Sequence, residues 1–240
     1  MESSAPKYKR ILLKLSGEAL KGTDGILNFD MIGSVAEVLK KCVNQGVEVA
    51  VIVGAGNIWR GAKGTNVERN RADAMGMLAT AINSLALEDV FCRAGLDAKV
   101  LSAVEMDAFA DKYTPRDAIG ALEAGKVVIF ACGLGSPFFS TDTAAALRAA
   151  EIKADAVLMA KNIDGVYSAD PNAVGATEKA VKYDEITYKE VIAKELKALD
   201  LTATAFCMDN NIKCYAFGLK DPENIYKVVM GEAIGTEIHK

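Results

Sequence analysis

Lys126-Val-Val-Ile-Phe-Ala-Cys-Gly-Leu-Gly-Ser-Pro-Phe-Phe-Ser-Thr-Asp-Thr-Ala-Ala-Ala-Leu-Arg-Ala-Ala150 runs from a strand through a loop into a helix. Lys126 to Cys132 is apolar and rich in β-branched residues, as expected of a strand buried on both faces of a parallel sheet. Thr143 to Ala150 is alanine-rich, with Thr141 or Asp142 placed to cap the helix. In an open α/β sheet the crevice beyond a strand's carboxyl end is the usual ligand site, and a helix N-terminus there favours an anion. The loop, Gly133 to Asp142, brings two glycines that let backbone N–H groups approach a ligand. Pro137, Phe138 and Phe139 put rigid apolar surface where turns are normally polar. Taken alone, the loop also fits a plain strand-to-helix turn with its phenylalanines in the core.

Outward from this stretch, strands and helices alternate. Arg10 to Leu15 reads as a strand ending in Ser16-Gly17-Glu18, and Asp30 to Gln45 as a helix. Met31, Val35, Val38, Leu39 and Cys42 line one face of that helix, and Gly46 stops it. A strand from Val47 to Val53 runs into Gly54-Ala-Gly-Asn57, a helix covers Arg71 to Arg93, and a strand follows from Ala98 to Leu101. Thr114-Pro115 opens a helix that Gly125 closes. A strand from Ala154 to Met159 precedes a long polar segment; helices at 188–198 and 203–211, a strand at 213–217 and a helix ending at Gly231 complete the pattern. Such alternation implies an α/β fold with a mostly parallel sheet and helices on both faces. No linker or repeat divides residues 1–240, so one continuous domain is expected.

Of the 240 residues 51% are apolar, enough for a sizeable core, and the net charge of -4 carries no basic footprint for nucleic acid or an anionic membrane. Cys42, Cys92, Cys132, Cys207 and Cys214 show no metal or redox spacing and read as buried thiols in a reducing, cytoplasmic setting. The longest uncharged run, Val127 to Thr141, is shorter than the ~20 residues that span a bilayer. The polar start of the chain has no secretory h-region, so neither export nor membrane insertion is expected. The single histidine, His239, sits in what reads as a frayed tail, which disfavours Ser-His and Cys-His catalysis.

Three strands end in glycine-bearing loops: Lys14-Leu-Ser-Gly17, Gly54-Ala-Gly-Asn57 and Gly133-Leu-Gly135. Parallel pairing would bring all three to one sheet edge as a groove of N–H donors suited to phosphate. Gly120-Ala-Leu-Glu-Ala-Gly125-Lys126 nearly spells a P-loop, but it runs helix to strand and lacks the magnesium-meeting Ser or Thr, so it reads as a helix C-terminus. Near the glycine loops stand cations at Lys14, Arg60 and Lys161 and carboxylates at Asp73, Asp142, Asp164 and Asp170. This inventory suits phosphoryl transfer to an acceptor that is already an anion, where positioning and charge neutralisation suffice without a general base.

Lys-Leu-Ser-Gly-Glu at 14–18, Gly-Asn-Ile-Trp-Arg-Gly at 56–61, Met-Gly-Met-Leu-Ala-Thr at 75–80, Gly-Ser-Pro-Phe-Phe-Ser-Thr-Asp at 135–142 and Asp-Gly-Val-Tyr-Ser-Ala-Asp-Pro at 164–171 together resemble the bacterial UMP kinase family of the amino acid kinase superfamily. The resemblance covers nearly the whole chain. It implies a three-layer α/β/α sandwich in which the γ-phosphate of MgATP passes to UMP, giving UDP for pyrimidine nucleotide synthesis, with magnesium carried by ATP rather than by the protein. The part before about residue 150 would bind mainly UMP and the remainder mainly ATP. Lys14, Leu15, Ser16 and Gly17 would hold ATP phosphates, with Lys14 neutralising the transferred group and Asp142 orienting Lys14 and its neighbours. Ala55 and Gly56 would approach the UMP and ATP phosphates, Arg60 would face them, and Asp73 would take the UMP ribose. Leu134, Gly135, Ser136, Pro137, Phe138, Phe139, Ser140 and Thr141 would wrap the uridine. Lys161 or Asn162, with Tyr167 and Asp170, would contact ATP. The resemblance further implies GTP activation, UTP inhibition and a homohexamer. Two other readings are an aspartate or acetylglutamate kinase, which would need neither Asp73 nor the aromatic loop, and a regulatory or storage protein that binds nucleotide without turnover.

Overall fold

The computed structural model describes residues 5–23, 25–59, 66–169, 171, 180–196 and 198–240. In chain order the elements are β1 (Arg10–Leu15), α1 (Phe29–Asn44), β2 (Glu48–Val53), α2 (Arg69–Arg93), β3 (Ala98–Ser102), β4 (Asp111–Lys112), α3 (Pro115–Glu123), β5 (Val127–Ala131), α4 (Thr141–Glu151) and β6 (Ala156–Lys161). There follow β7 (Val166–Tyr167), β8 (Lys182–Tyr183), β9 (Glu185–Thr187), α5 (Tyr188–Ala193), α6 (Leu201–Asp209), β10 (Cys214–Gly218), α7 (Glu223–Val229) and β11 (Thr236–His239). A 3-10 turn spans Gly17–Leu20.

Among the described residues nine strands form one sheet in the order β4-β3-β5-β2-β1-β6-β10-β11-β9, and β7 and β8 make a separate two-stranded ribbon. Every pairing in the large sheet is parallel except β10 with β11. Because side chains alternate across a strand, β1 feeds two cores. Ile11, Leu13 and Leu15 join Val51, Leu39 and Phe91 on the face of α1, α2 and α7. Leu12 joins Ile52, Phe130 and Ala145 on the face of α3, α4 and α6. The result is the expected α/β/α sandwich, and Lys14, in phase with Leu12, lies on the α4 side.

Several local expectations are corrected. The cap of α4 is Ser140 rather than Thr141 or Asp142: its Oγ accepts from the Asp142 and Thr143 N–H groups at 3.0 and 3.2 Å. β6 starts at Ala156, not Ala154, because the Ala154 N–H closes the end of α4 on the Ala149 carbonyl. α5 stops at Ala193, where Glu195 takes a left-handed φ of 50° without any glycine in the sequence to announce it. His239 is not a frayed tail but part of β11, paired with Thr187 of β9. Cys92 is exposed, whereas the other four cysteines are buried thiols as expected.

α2 is the one helix among the described residues that length and composition alone would allow to cross a membrane. Its Ala72, Ala79, Asn83, Leu87 and Phe91 are buried, and it packs on β3 and β5. Its outer face leaves Met75, Leu78 and Ile82 exposed at helical spacing.

Candidate active site

β1, β2 and β5 are adjacent and parallel, so their carboxyl ends bring the three glycine loops to one edge. The first two loops touch backbone to backbone. A Cβ on Gly17 would stand 2.5 Å from the Gly54 carbonyl and 2.6 Å from the Gly56 nitrogen, and one on Gly56 would meet the Glu18 side chain at 2.9 Å. Only glycine permits that approach. Behind them Asn57 and Asn83 exchange amide hydrogen bonds of 2.9 and 2.8 Å, and Asn83 Nδ2 donates to the Gly54 carbonyl at 2.9 Å, fixing the second loop on α2.

The cations and carboxylates meet in the middle. Lys14 Nζ lies 3.2 Å from Asp142 Oδ1, both side chains mostly shielded from water. Lys161, at the end of β6, donates to the Ala198 carbonyl. Desolvation pulls its pKa below the usual lysine value, Asp142 partly offsets this, and Lys14 adds to the lowering. The site therefore concentrates positive charge, with Asp142 paired to Lys14 and its carboxylate also acting on Lys161.

Two openings flank this centre. A cavity of about 460 Å³ on one side is lined by Ala55, Asp73, Leu134, Ser136, Phe138 and Phe139, and also by Ser140 and Thr141. Phe138 and Phe139 are 62% and 51% exposed, so they are not core side chains and the plain-turn alternative falls away. Gly135 and Pro137 do not line the cavity; Gly135 shapes the loop, with a φ of 72° and a Cβ position 2.9 Å from the Ala103 carbonyl. On the other side a cavity of about 280 Å³ is lined by Lys14, Ser16, Lys161 and Asn162. It shares Ile163, Gly165 and Val166 with a third cavity of about 430 Å³ that includes Tyr167. Leu15 is buried in the sheet, and the Ser16 N–H is taken by the Ala160 carbonyl, so Ser16 offers its hydroxyl. Arg60 and Asp170 lie outside the described residues.

Asp73 is already engaged. Its Oδ2 accepts from Arg69 Nε at 2.7 Å and from the Phe138 N–H at 2.8 Å. Burial pushes its pKa up, but these two donors outweigh it and hold the carboxyl below the usual range. Arg69, on the first turn of α2 and 5.2 Å from the Phe138 ring centroid, thus ties α2 to the aromatic loop.

Sequence reasoning missed Arg69, Thr80, Asn83 and above all Asp200. Asp200 caps α6 through the Ala203 N–H at 2.9 Å. It also receives the Ser140 hydroxyl and, at 3.1 Å to each oxygen, the Thr143 hydroxyl. It therefore joins the start of α6 to the start of α4. Asp200-Leu-Thr-Ala203 is a readable cap pattern, but its reach to Ser140, 60 residues earlier, leaves no local trace.

The Lys14 and Lys161 ammoniums that line the cleft suit phosphate oxygens, and the Asp142 and Asp200 carboxylates already hold protein partners, an arrangement that suits magnesium carried by a nucleotide better than magnesium held by the protein.

Residues 9–218 match the model of the amino acid kinase family. Among solved structures, UMP kinase from Bacillus anthracis superposes with a TM-score of 0.91 at 34% identity, covering 97% of this chain and 96% of that one. UMP kinase from Ureaplasma parvum gives 0.90 at 38% identity over 98% and 100%. Uridylate kinase from Archaeoglobus fulgidus gives 0.71 at 30% identity over 95% and 99%.

Proposed function

The chain belongs to the amino acid kinase family and is a nucleoside monophosphate kinase within it, and from that premise we propose that it transfers the γ-phosphate of MgATP to UMP, yielding UDP and ADP. The observation that carries this reading is the Lys14–Asp142 pair standing between the aromatic-loop cavity and the cavity of Lys161 and Asn162.

UMP enters the larger cavity with its base against Leu134 to Thr141 and its ribose toward Asp73, where the 2′- and 3′-hydroxyls compete with or join Arg69 as donors. Its phosphate then faces the N–H groups of Ala55 and Gly56 beside Lys14. ATP occupies the other two cavities, near Tyr167, with its phosphates running past Lys161, Ser16 and Gly17 toward Lys14. The acceptor oxygen is already anionic, so no base has to remove a proton. Lys14 neutralises the charge on the moving group, and Asp142 holds Lys14 in place while favouring the charged form of Lys161. Magnesium borne by ATP supplies further charge neutralisation when bound. In this reading the part before about residue 150 serves mainly the acceptor and the remainder mainly the donor. The reaction belongs to cytoplasmic pyrimidine nucleotide synthesis.

The exposed Met75, Leu78 and Ile82 stripe on α2 supports the further reading that copies of the chain assemble, as the proposed homohexamer requires. GTP and UTP are the proposed activator and inhibitor of the enzyme.

ADP release with MgATP is measured against UMP, CMP, dCMP, AMP, aspartate and acetylglutamate, with and without GTP. Turnover confined to UMP is expected. Turnover with an amino acid would overturn the uridine reading, and nucleotide binding without turnover would favour a regulatory protein.

A further inference from the structure

The backbone leaves β5 through two successive left-handed residues, Cys132 at φ 62° and Gly133 at φ 57°. The first is not a glycine, and a non-glycine residue persists in that region only where its surroundings hold it. One holder is visible from the cavity: the Cys132 N–H donates to Thr80 Oγ1 at 3.0 Å. The other is not. Arg148, in the last turn of α4, donates from Nη2 to the Gly133 carbonyl at 3.3 Å from beneath the loop.

Among the described residues Arg148 is the only charged residue that is buried, at 6% exposure. A buried guanidinium is costly unless paired, and an apolar side chain would fill the same volume more cheaply. Its charge is paired and its face is stacked. Nη1 lies 2.5 Å from Glu151 Oε2, that same oxygen accepts from the Tyr113 hydroxyl at 2.6 Å, and the guanidinium stacks 3.8 Å from the Tyr113 ring centroid. Tyr113 is fixed in turn by its edge contact with Phe130 of β5 and by its N–H on the Ser102 carbonyl. Burial and the Glu151 carboxylate push the Tyr113 hydroxyl upward, so it keeps its proton and its hydrogen bond. The chain of contacts runs from β5 through Tyr113, Glu151 and Arg148 back to the first residues after β5, and it serves the turn from which 134–141 depart.

We propose that Arg148 is a positioning residue for the acceptor nucleotide: from inside α4 it holds the Gly133 carbonyl, and with it the angle at which the aromatic loop leaves the sheet. Arg148 does not line the acceptor cavity and acts only through the loop. The inference rests on the proposed UMP kinase reaction.

The test compares Arg148→Met, Arg148→Lys and Tyr113→Phe with wild type in steady-state kinetics for both substrates. Arg148→Met is expected to raise the KM for UMP about tenfold, as loss of a hydrogen bond from a charged donor should. The KM for ATP and kcat at saturation should stay within about twofold. Arg148→Lys, which keeps one donor and the charge, should recover part of the UMP KM, and Tyr113→Phe, which loosens Glu151, should raise it by about threefold. An unchanged UMP KM in Arg148→Met overturns the proposal. So does a loss shared equally between both substrates and tracking a lower melting temperature, which marks mere packing. If Arg148→Met fails to fold, Tyr113→Phe decides alone, and an unchanged UMP KM there overturns it. Should wild type turn over another acceptor and not UMP, the UMP reading falls by itself, and the same comparison is made on the acceptor that is used.

Discussion

Lys14 and Asp142 face each other at 3.2 Å, one from the end of β1 and the other from the first turn of α4. The pair exists because the pleat of β1 turns Lys14 toward the α4 side while the loop after β5 brings the helix start over it. Asp142→Asn keeps the shape and removes the charge that orients Lys14, so kcat should fall on the order of a hundredfold while the KM for UMP changes little. Kinetics of UMP-dependent ADP formation check this, and an unaltered kcat would remove Asp142 from the mechanism.

Gly17 has no room for a side chain, its Cβ position lying 2.5 Å from the Gly54 carbonyl. Gly17→Ala must part the two phosphate-facing loops, and overpacking of this kind costs about 1–3 kcal/mol. Urea unfolding should show that loss together with a raised KM for ATP. A variant with wild-type stability and ATP kinetics would mean that the loops do not close on each other in solution.

What the sequence disclosed follows from which signals are local. β1, β2 and β5 announced themselves as apolar runs, Thr114-Pro115 and Gly125 bracketed α3, and the three glycine loops followed from parallel order. Lys14 and Asp142 could be brought together because each sits at the end of a readable element. Asp200 could not: its partners Ser140 and Thr143 lie 60 and 57 residues away. Arg69 was hidden for another reason, since an Arg four residues before an Asp on a helix reads as a solvated pair, and only the fold shows Phe138 sharing that carboxylate. β11 escaped because a strand of four residues is too short for its periodicity to distinguish it from a tail, although it lies between β10 and β9 in the sheet.

Asp200 caps α6 and takes the hydroxyls of Ser140 and Thr143 at once. Asp200→Ala loses a cap and two charge-assisted hydrogen bonds, for an expected destabilisation of about 2–4 kcal/mol. Because Ser140 ends the aromatic loop, the KM for UMP should rise as well. Thermal unfolding and UMP kinetics on Asp200→Ala and Asp200→Asn test this, the asparagine retaining the cap and therefore more of the stability. Equal stability of Asp200→Ala and wild type would show that the junction between α4 and α6 is held elsewhere.

Leu78 is 58% exposed at the centre of the Met75, Leu78 and Ile82 stripe. Leu78→Glu therefore leaves the fold of a single copy intact but places a charge in any contact made by that face. Light scattering should find a smaller particle than wild type, with an unchanged circular dichroism spectrum. An identical mass for the two proteins would show that assembly does not use this stripe.

Lys161 joins activity and stability with opposite signs. Its pKa is lowered from the ordinary 10.5, by desolvation first and then by Lys14, against the pull of Asp142 and Asp200. As pH rises toward 10.5 the folded protein gives up this proton before the unfolded chain does. The unfolded state then binds more protons, and this group's contribution to stability increases with pH across the window between its lowered pKa and 10.5. Activity moves the other way, since only the ammonium neutralises phosphate oxygens. An alkaline limb in kcat/KM for ATP should therefore begin below 10.5, and Lys161→Arg, which stays charged throughout, should carry that limb upward. The stability advantage of Lys161→Met over wild type should shrink across the same window. A limb that stays in place in Lys161→Arg would assign it to another group.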